Sequence, residues 1–288
     1  MIRSSIDRST TDASDIPLVC EDGLIIRRVE TLAEYQECVA IQEETWGDNF
    51  RERVPVAILM VGQKLSGICA AAYDPAGRML GFVFGITGPY RGVLAHWSHL
   101  LAVRPEARGQ HIGERLKRYQ RELSLSRGLG VETIYWTFDP LVARNAHLNL
   151  RRLGARASEY VVNMYGSNTG SPLHGTLDTD RWIAAWDLRA SPETKAGASP
   201  VDHGVFVIRP SADGTLPLDG LFPAAAVVRV AIPKDYEGLV HAHRVAWREA
   251  TRRAFLHYLG LGYRVSSFHR AALEQPPFYE LAANAPQF

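Results

Sequence analysis

Residues 98–113 read Ser98-His99-Leu100-Leu101-Ala102-Val103-Arg104-Pro105-Glu106-Ala107-Arg108-Gly109-Gln110-His111-Ile112-Gly113. The apolar run up to Val103 has the character of a strand, and Arg104-Pro105 stops it, because proline cannot donate to a ladder and restricts the residue before it. Ile112, Leu116, Tyr119, Leu123 and Ser126 then recur at helical spacing. A strand, a glycine-containing loop and a helix follow one another. Such a loop points several backbone N–H groups and the positive end of the helix dipole at one place, where a phosphate binds. Gly109 and Gly113 permit close backbone approach, and Arg104 and Arg108 can add charge-assisted hydrogen bonds.

Working outward, residues 23–29 predict a strand, and Thr31 caps a helix over 32–46 with Glu34 in the capping-box position. Residues 68–73 and 79–86 predict a hairpin turned by Asp74-Pro75-Ala76-Gly77. The strand over 93–103 leads into the quoted loop, and the helix over 112–127 is closed by Gly128 and Gly130. Beyond it come a strand over 131–138, a helix over 141–153 ended by Gly154, and strands over 160–165 and 182–188. The fold class is α/β, a mixed α+β sheet with helices over its faces. A flexible arm at 1–20, a domain at 21–189, a connector at 190–204 and a smaller C-terminal α+β extension at 205–288 complete the expected organisation. The extension holds strands over 205–209, 227–232 and 263–268 and a helix over 239–259. Leu153-Gly154 between helix and strand is echoed by Leu259-Gly260-Leu261-Gly262; this is either a decayed half-repeat or the ordinary habit of helices to end in Leu-Gly.

With 288 residues, 46% hydrophobic and 22% charged, the chain can bury a sizeable core and is not a disordered one. Lys+Arg 32 against Asp+Glu 31 leaves a net charge of +1, so no global field draws nucleic acid or an anionic membrane, and any anion site is local. Cys20, Cys38 and Cys69 lack the C-x-x-C spacing of zinc and redox sites, which predicts free thiols, a reducing compartment and no metal. The N-terminus has no apolar signal region, and runs such as 54–62 fall short of the roughly 20 residues that cross a bilayer. The expectation is a soluble, cytoplasmic protein.

The loop resembles that of the GNAT superfamily of acyl-CoA-dependent N-acetyltransferases, Arg/Gln-x-x-Gly-x-Gly/Ala between a strand and a helix. Arg108 and Gly113 match, and His111 stands at the first glycine. The resemblance covers about residues 23–189. The runs 98–103, 136–141 and Arg144-Asn145-Ala146 look like an uncharacterised subgroup of predicted acetyltransferases. The resemblance implies an acyl-CoA N-acyltransferase fold and acetyl-CoA as co-substrate. The diphosphate would lie on Arg104, Arg108, Gly109, Gln110, His111, Ile112 and Gly113. The pantetheine arm would enter a wedge between the strands ending at Val103 and at Phe138, on main-chain groups of Leu101, Ala102 and Val103. Asn145 would bond that arm or the adjacent loop, or belong to a solvated face. Direct transfer to a small-molecule amine would follow, with one backbone N–H holding the oxyanion. The tyrosine that many such enzymes use to protonate the leaving thiolate is replaced here by Leu150, leaving Tyr160 or Tyr165 as substitutes. A non-catalytic acyl-CoA-binding module is the alternative reading.

An amine acceptor is an ammonium at neutral pH and must lose a proton before it attacks. His96 and His99 lie on the strand feeding the loop and face opposite sides of it. His99 is closer to the expected thioester and is the favoured base, with the adjacent Ser98 as a second catalytic candidate; a buried histidine bonded within the sheet is the competing reading. Asp139 lies beyond the carboxyl end of the next strand and is either a further acid–base residue or a cap for the helix that follows. Arg244, Arg248 and Arg252 form a stripe that is either the wet face of the last helix or a remote nucleic-acid grip. The aromatic content of that helix suggests closure over the acceptor side or self-association into a homodimer.

Overall fold

The computed structural model describes residues 16–190, 204–272 and 275–283. Most of the expected arm and connector lies outside the described residues. Of the residues expected in the arm, Leu18–Val19 form β1, which pairs with β2 (Ile25–Arg28) across the Asp22-Gly23 turn, where Gly23 takes φ +80°.

Thr31 caps α1 (Leu32–Trp46), its hydroxyl accepting from the Glu34 amide while Glu34 reaches back to the cap. The apolar run that follows is α2 (Val56–Lys64), begun by Pro55, a helix the sequence pattern had left unassigned. Next come β3 (Ile68–Tyr73), β4 (Met79–Tyr90), β5 (Val93–Val103), α3 (Ile112–Ser126) and β6 (Thr133–Phe138). The expected helix over 141–153 is instead a short α4 (Ala143–Ala146) running into a π-helical turn, His147–Arg152, in which Leu153 N–H reaches back five residues to the Leu148 carbonyl. β7 (Arg156–Val161) and β8 (Arg181–Asp187) close the first sheet, ordered β1-β2-β3-β4-β5-β6-β8-β7. α1 and α2 pack on one face, against Phe82, Phe84 and Leu100. α3 packs on the other, against Val83, Leu101 and Val103.

A second sheet contains β9 (Val205–Pro210), β10 (Pro217–Asp219), β11 (Val227–Ala231), β12 (Arg264–His269) and β13 (Phe278–Ala282), in the order β10-β9-β11-β13-β12, with α5 (His241–Gly260) against it. Its topology repeats half of the first. β9 is parallel to β11, which pairs antiparallel with β13, which pairs with β12. The same relations join β5, β6, β8 and β7. The register of the echo is Leu153-Gly154-Ala155-Arg156-Ala157-Ser158-Glu159-Tyr160 on Leu261-Gly262-Tyr263-Arg264-Val265-Ser266-Ser267-Phe268. In both, the glycine has positive φ and the serine is skipped in the ladder. In both its hydroxyl donates across to the neighbouring strand, Ser158 to the Ile183 carbonyl at 2.9 Å and Ser266 to that of Glu280 at 3.1 Å. The ring pair Tyr160–Trp182 is matched by Phe268–Tyr279.

The two sheets share one core: Trp182 touches both Phe255 of α5 and Tyr279 of β13. The arginine stripe of α5 is not a wet face, contrary to expectation. Arg248 is 4% exposed and holds Asp139 through two hydrogen bonds of 2.6 and 3.0 Å. Arg252 clasps Asp178 and Asp180, and Arg244 donates to the Leu173 carbonyl. A stripe spent on the protein's own carboxylates and carbonyls offers little to a polyanion. Removing one partner of a buried ion pair strands the other charge. Arg248→Met is therefore expected to destabilise the protein by about 3–5 kcal/mol, and the double change Arg248→Met with Asp139→Leu to recover part of that loss, both read from denaturant midpoints.

Candidate active site

β5 and β6 run parallel over two rungs only, His96 with Ile134 and Trp97 with Tyr135. From Ser98 on one strand and Trp136 on the other they diverge. On its other side β5 stays paired with β4 as far as Val103, opposite Gly81. Leu101, Ala102 and Val103 are thus held in extended form by β4, while the edge they turn to β6 has no strand partner. Such an edge can pair with an extended chain bearing amides. A bulge falls in the same place: Phe84 pairs with Leu100 and Gly85 with Ser98, so His99 is skipped. His99 and Leu100 consequently both lean toward the α1–α2 face.

The loop 104–112 lies at the open end of the divergence. Gly109 and His111 have φ of +84° and +58°, a curled path that turns successive amides outward. Residues 108–111 are exposed. The first turn of α3 has no side-chain cap, and its first internal bond is Arg115 N–H to the His111 carbonyl, so the amides of Ile112, Gly113 and Glu114 are free of the helix ladder. The His111 side chain, 67% exposed, projects into solvent and does not fill the turn. Gly113 lies over β5, where a Cβ would meet Leu101 at 3.6 Å, an ordinary contact that alanine would satisfy. Gln110 and Arg108 remain open to a ligand. Arg104 does not: its guanidinium binds both carboxylate oxygens of Glu44, the Glu37 carboxylate and the Met79 carbonyl, and it fastens α1 to the sheet. Asn145 is half-buried in α4, and its side-chain amide has no partner among the described residues.

The acid–base candidates separate sharply. His99 lines a cleft of about 390 Å³ on the α1–α2 face together with Val54, Ile58, Phe84, Tyr90 and Trp97. The ring is exposed to solvent on the cleft side, and partial desolvation by the protein around it lowers its pKa, against a smaller opposing pull from Glu52. His96 is the histidine buried in the sheet. Gln120 donates to its Nε2 at 3.0 Å, its Nδ1–H donates to Thr87 Oγ1 at 2.9 Å, and Thr87 passes its own proton to the Ser66 carbonyl. Gly85 makes room for this ring, since a Cβ there would stand 2.3 Å from His96 Nε2. Ser98 faces α3 and not the cleft, so it does not join His99 there as a catalytic partner, contrary to expectation. Asp139 is no proton carrier either. It caps the Leu141 amide, and although burial alone would raise its pKa, the guanidiniums of Arg248 and Arg181 outweigh that and hold it below the usual carboxylate value.

Tyr160 is bonded to Asp180, and burial raises its pKa further. Tyr165 meets Thr137 at 3.0 Å. Leu150 packs against the shared core. One buried amine escaped sequence inspection: Lys117 of α3, 2% exposed, donates to Ser98 Oγ at 2.7 Å and lies 4.0 Å over the ring of Trp136. Its signal is the helical stripe Gly113, Lys117, Gln120 and Ser124, whose polar members are all buried. Another depression, bordered by Asp48, Asn49 and Ser171, does not reach the bulge. Among the described residues no cluster fit to hold a metal ion occurs, and no helix is long and apolar enough to cross a membrane.

The first sheet has the element order and the divergent central strands that the loop motif implied. That is the arrangement expected from the resemblance of the loop to GNAT-type acyltransferases. No protein-family model matches it, and no curated protein does. Similar solved structures include a GNAT-family acetyltransferase from Streptococcus pneumoniae, at 14% identity over 56% of this chain and 98% of that one, with a TM-score of 0.45. An N-acetyltransferase from Staphylococcus aureus Mu50 aligns at 16% over 58% and 99%, TM-score 0.45. An aminoglycoside 6'-acetyltransferase type Ii aligns at 20% over 58% and 99%, TM-score 0.43. Likenesses of this degree carry no argument about the chemistry, which rests on the residues of this chain.

Burial pushes the His96 pKa down to about 3. Below about pH 6.5 the unfolded imidazole takes up a proton that the folded one refuses, so stability falls as pH drops through that window, by up to about 1.4 kcal/mol per pH unit. His174 and His269, both held down to about 4, add to the slope. His96→Gln should flatten, without abolishing, the fall in unfolding free energy measured between pH 6.5 and pH 4.

Proposed function

We propose that this protein is an acetyl-CoA-dependent N-acetyltransferase that passes the acyl group directly to a small amine with an apolar body. One observation carries the reading: β5 and β6 part after Trp97 and Tyr135, leaving an unpaired strand edge that leads from an exposed amide loop to a bulge. An acyl-CoA has the matching parts in the same order, a diphosphate, an extended chain with two amides and a thioester. The amides of 109–114 and Arg108 would hold the diphosphate, the edge of Leu101–Val103 would pair with the pantetheine amides, and Asn145 would meet the same arm. The thioester would then lie at the bulge, where a main-chain N–H outside the ladder can take the developing oxyanion.

His99 is the base. Its lowered pKa keeps it neutral at pH 7, able to receive the proton of the attacking amine. The cleft it borders is lined by aliphatic and aromatic side chains with no carboxylate or guanidinium, which favours an acceptor whose amine is carried on an apolar or aromatic frame. Self-association into a homodimer through α5 is not favoured, since its aromatic rings are spent on the shared core.

Mixing the protein with acetyl-CoA and a panel of alkyl and arylalkyl amines should release thiol. Arg108→Ala is expected to weaken CoA binding about 10–100-fold by calorimetry. His99→Ala should lower kcat about 10²–10⁴-fold at unchanged CoA affinity, and the acid limb of wild-type activity should fall below pH 6.5, because the His99 pKa is lowered. CoA binding with silence across the whole panel would retract the transfer and leave an acyl-CoA-binding module.

A further inference from the structure

Lys117 sits at the fork. Its two partners, Ser98 and Trp136, are the residues immediately after the last paired rung of β5 and β6. The amine is 2% exposed, and no carboxylate pairs with it among the described residues. An ammonium without a counter-ion is costly inside a protein, and an apolar side chain of similar length would suit the site better as packing. Its neighbours on the stripe serve the fold: Gln120 holds His96, and Ser124 bonds the Gln120 carbonyl. Lys117 makes one hydrogen bond and one ring contact, and has donor capacity left at the place where a negative charge would appear.

We infer that Lys117 is the acid of the transfer, hydrogen-bonding the CoA sulfur and protonating it as the thioester carbon–sulfur bond breaks. The inference rests on the acyl-CoA reading given above. The amine nitrogen forms the new bond to the carbonyl carbon and gives a proton to His99. The electron pair of the C–S bond goes to sulfur, which takes a proton from the Lys117 ammonium, and water then returns that proton to Lys117. The alternative donors are otherwise engaged: Tyr160 with Asp180, Tyr165 with Thr137, and position 150 has only a leucine. Burial also pushes the Lys117 pKa well below the usual lysine range, so the proton is readily surrendered.

Lys117→Met separates this role from a structural one. The variant should unfold at an equal or higher denaturant concentration than the wild type and bind CoA with little change, yet turn over acetyl-CoA about 10²–10³-fold more slowly. With the selenoester analogue of acetyl-CoA, whose selenolate leaves without a proton, the loss should shrink to less than about tenfold. Equal losses with both donors, or an acetyl group found on Lys117 by peptide mass mapping, would overturn the inference and leave the transferase reading standing. A wild type that fails to bind CoA would sink both.

Discussion

Two parallel strands that separate inside a protein leave main-chain donors and acceptors without partners, and the molecule is arranged around that deficit. Buried backbone groups are rarely left unmet. Here one edge of β5 is satisfied by β4 while the other opens into the divergence from β6. What holds the strands apart is α3, which lays Gly113 over Leu101 and Val103, Lys117 over Ser98 and Trp136, and Gln120 over His96. The bulge at His99 follows from the same geometry, since a strand that must leave one neighbour while staying with the other takes up the difference as an extra residue.

The strand, loop and helix around residues 98–126 were legible because each is written locally: a β run, a proline stop, and apolar residues at helical spacing. The capping box at Thr31 and Glu34 was legible for the same reason. Residues 55–64 were not, since a short apolar run reads equally as strand or helix. His99 was preferred to His96 for its nearness to Leu101–Val103, alternation along β5 saying only that one of the two could face the cleft; in the structure His99 borders the cleft and His96 belongs to the buried hydrogen-bond chain. Arg104 and Asp139 looked like site residues because charge next to a phosphate loop or a strand end suggests chemistry. Their partners, Glu37, Glu44 and Arg248, are far away in sequence, and only the folded chain brings them together. Lys117 was hidden by the same limit in reverse: a lysine among charged residues on a helix reads as solvated, and nothing local reveals that β5 and β6 enclose it.

The arginines of α5 show how a surface pattern becomes internal. Spaced by four, they could have faced water; instead they reach Asp139, Asp178 and Asp180 around the end of β6 and the start of β8. This seam, with the shared aromatic core of Trp182, Phe255 and Tyr279, ties the second sheet to the half of the first sheet that carries one wall of the divergence.

The repeated topology places two versions of one design side by side. In the first, β5 is followed by a full helix that props the parallel pair open. In the second, β9 turns straight into the β10 hairpin through Asp213 and Gly214, and β9 and β11 stay joined from Val205 to Ile208. The copy without the prop is therefore a brace, its parallel pair closed along the length where the other pair opens.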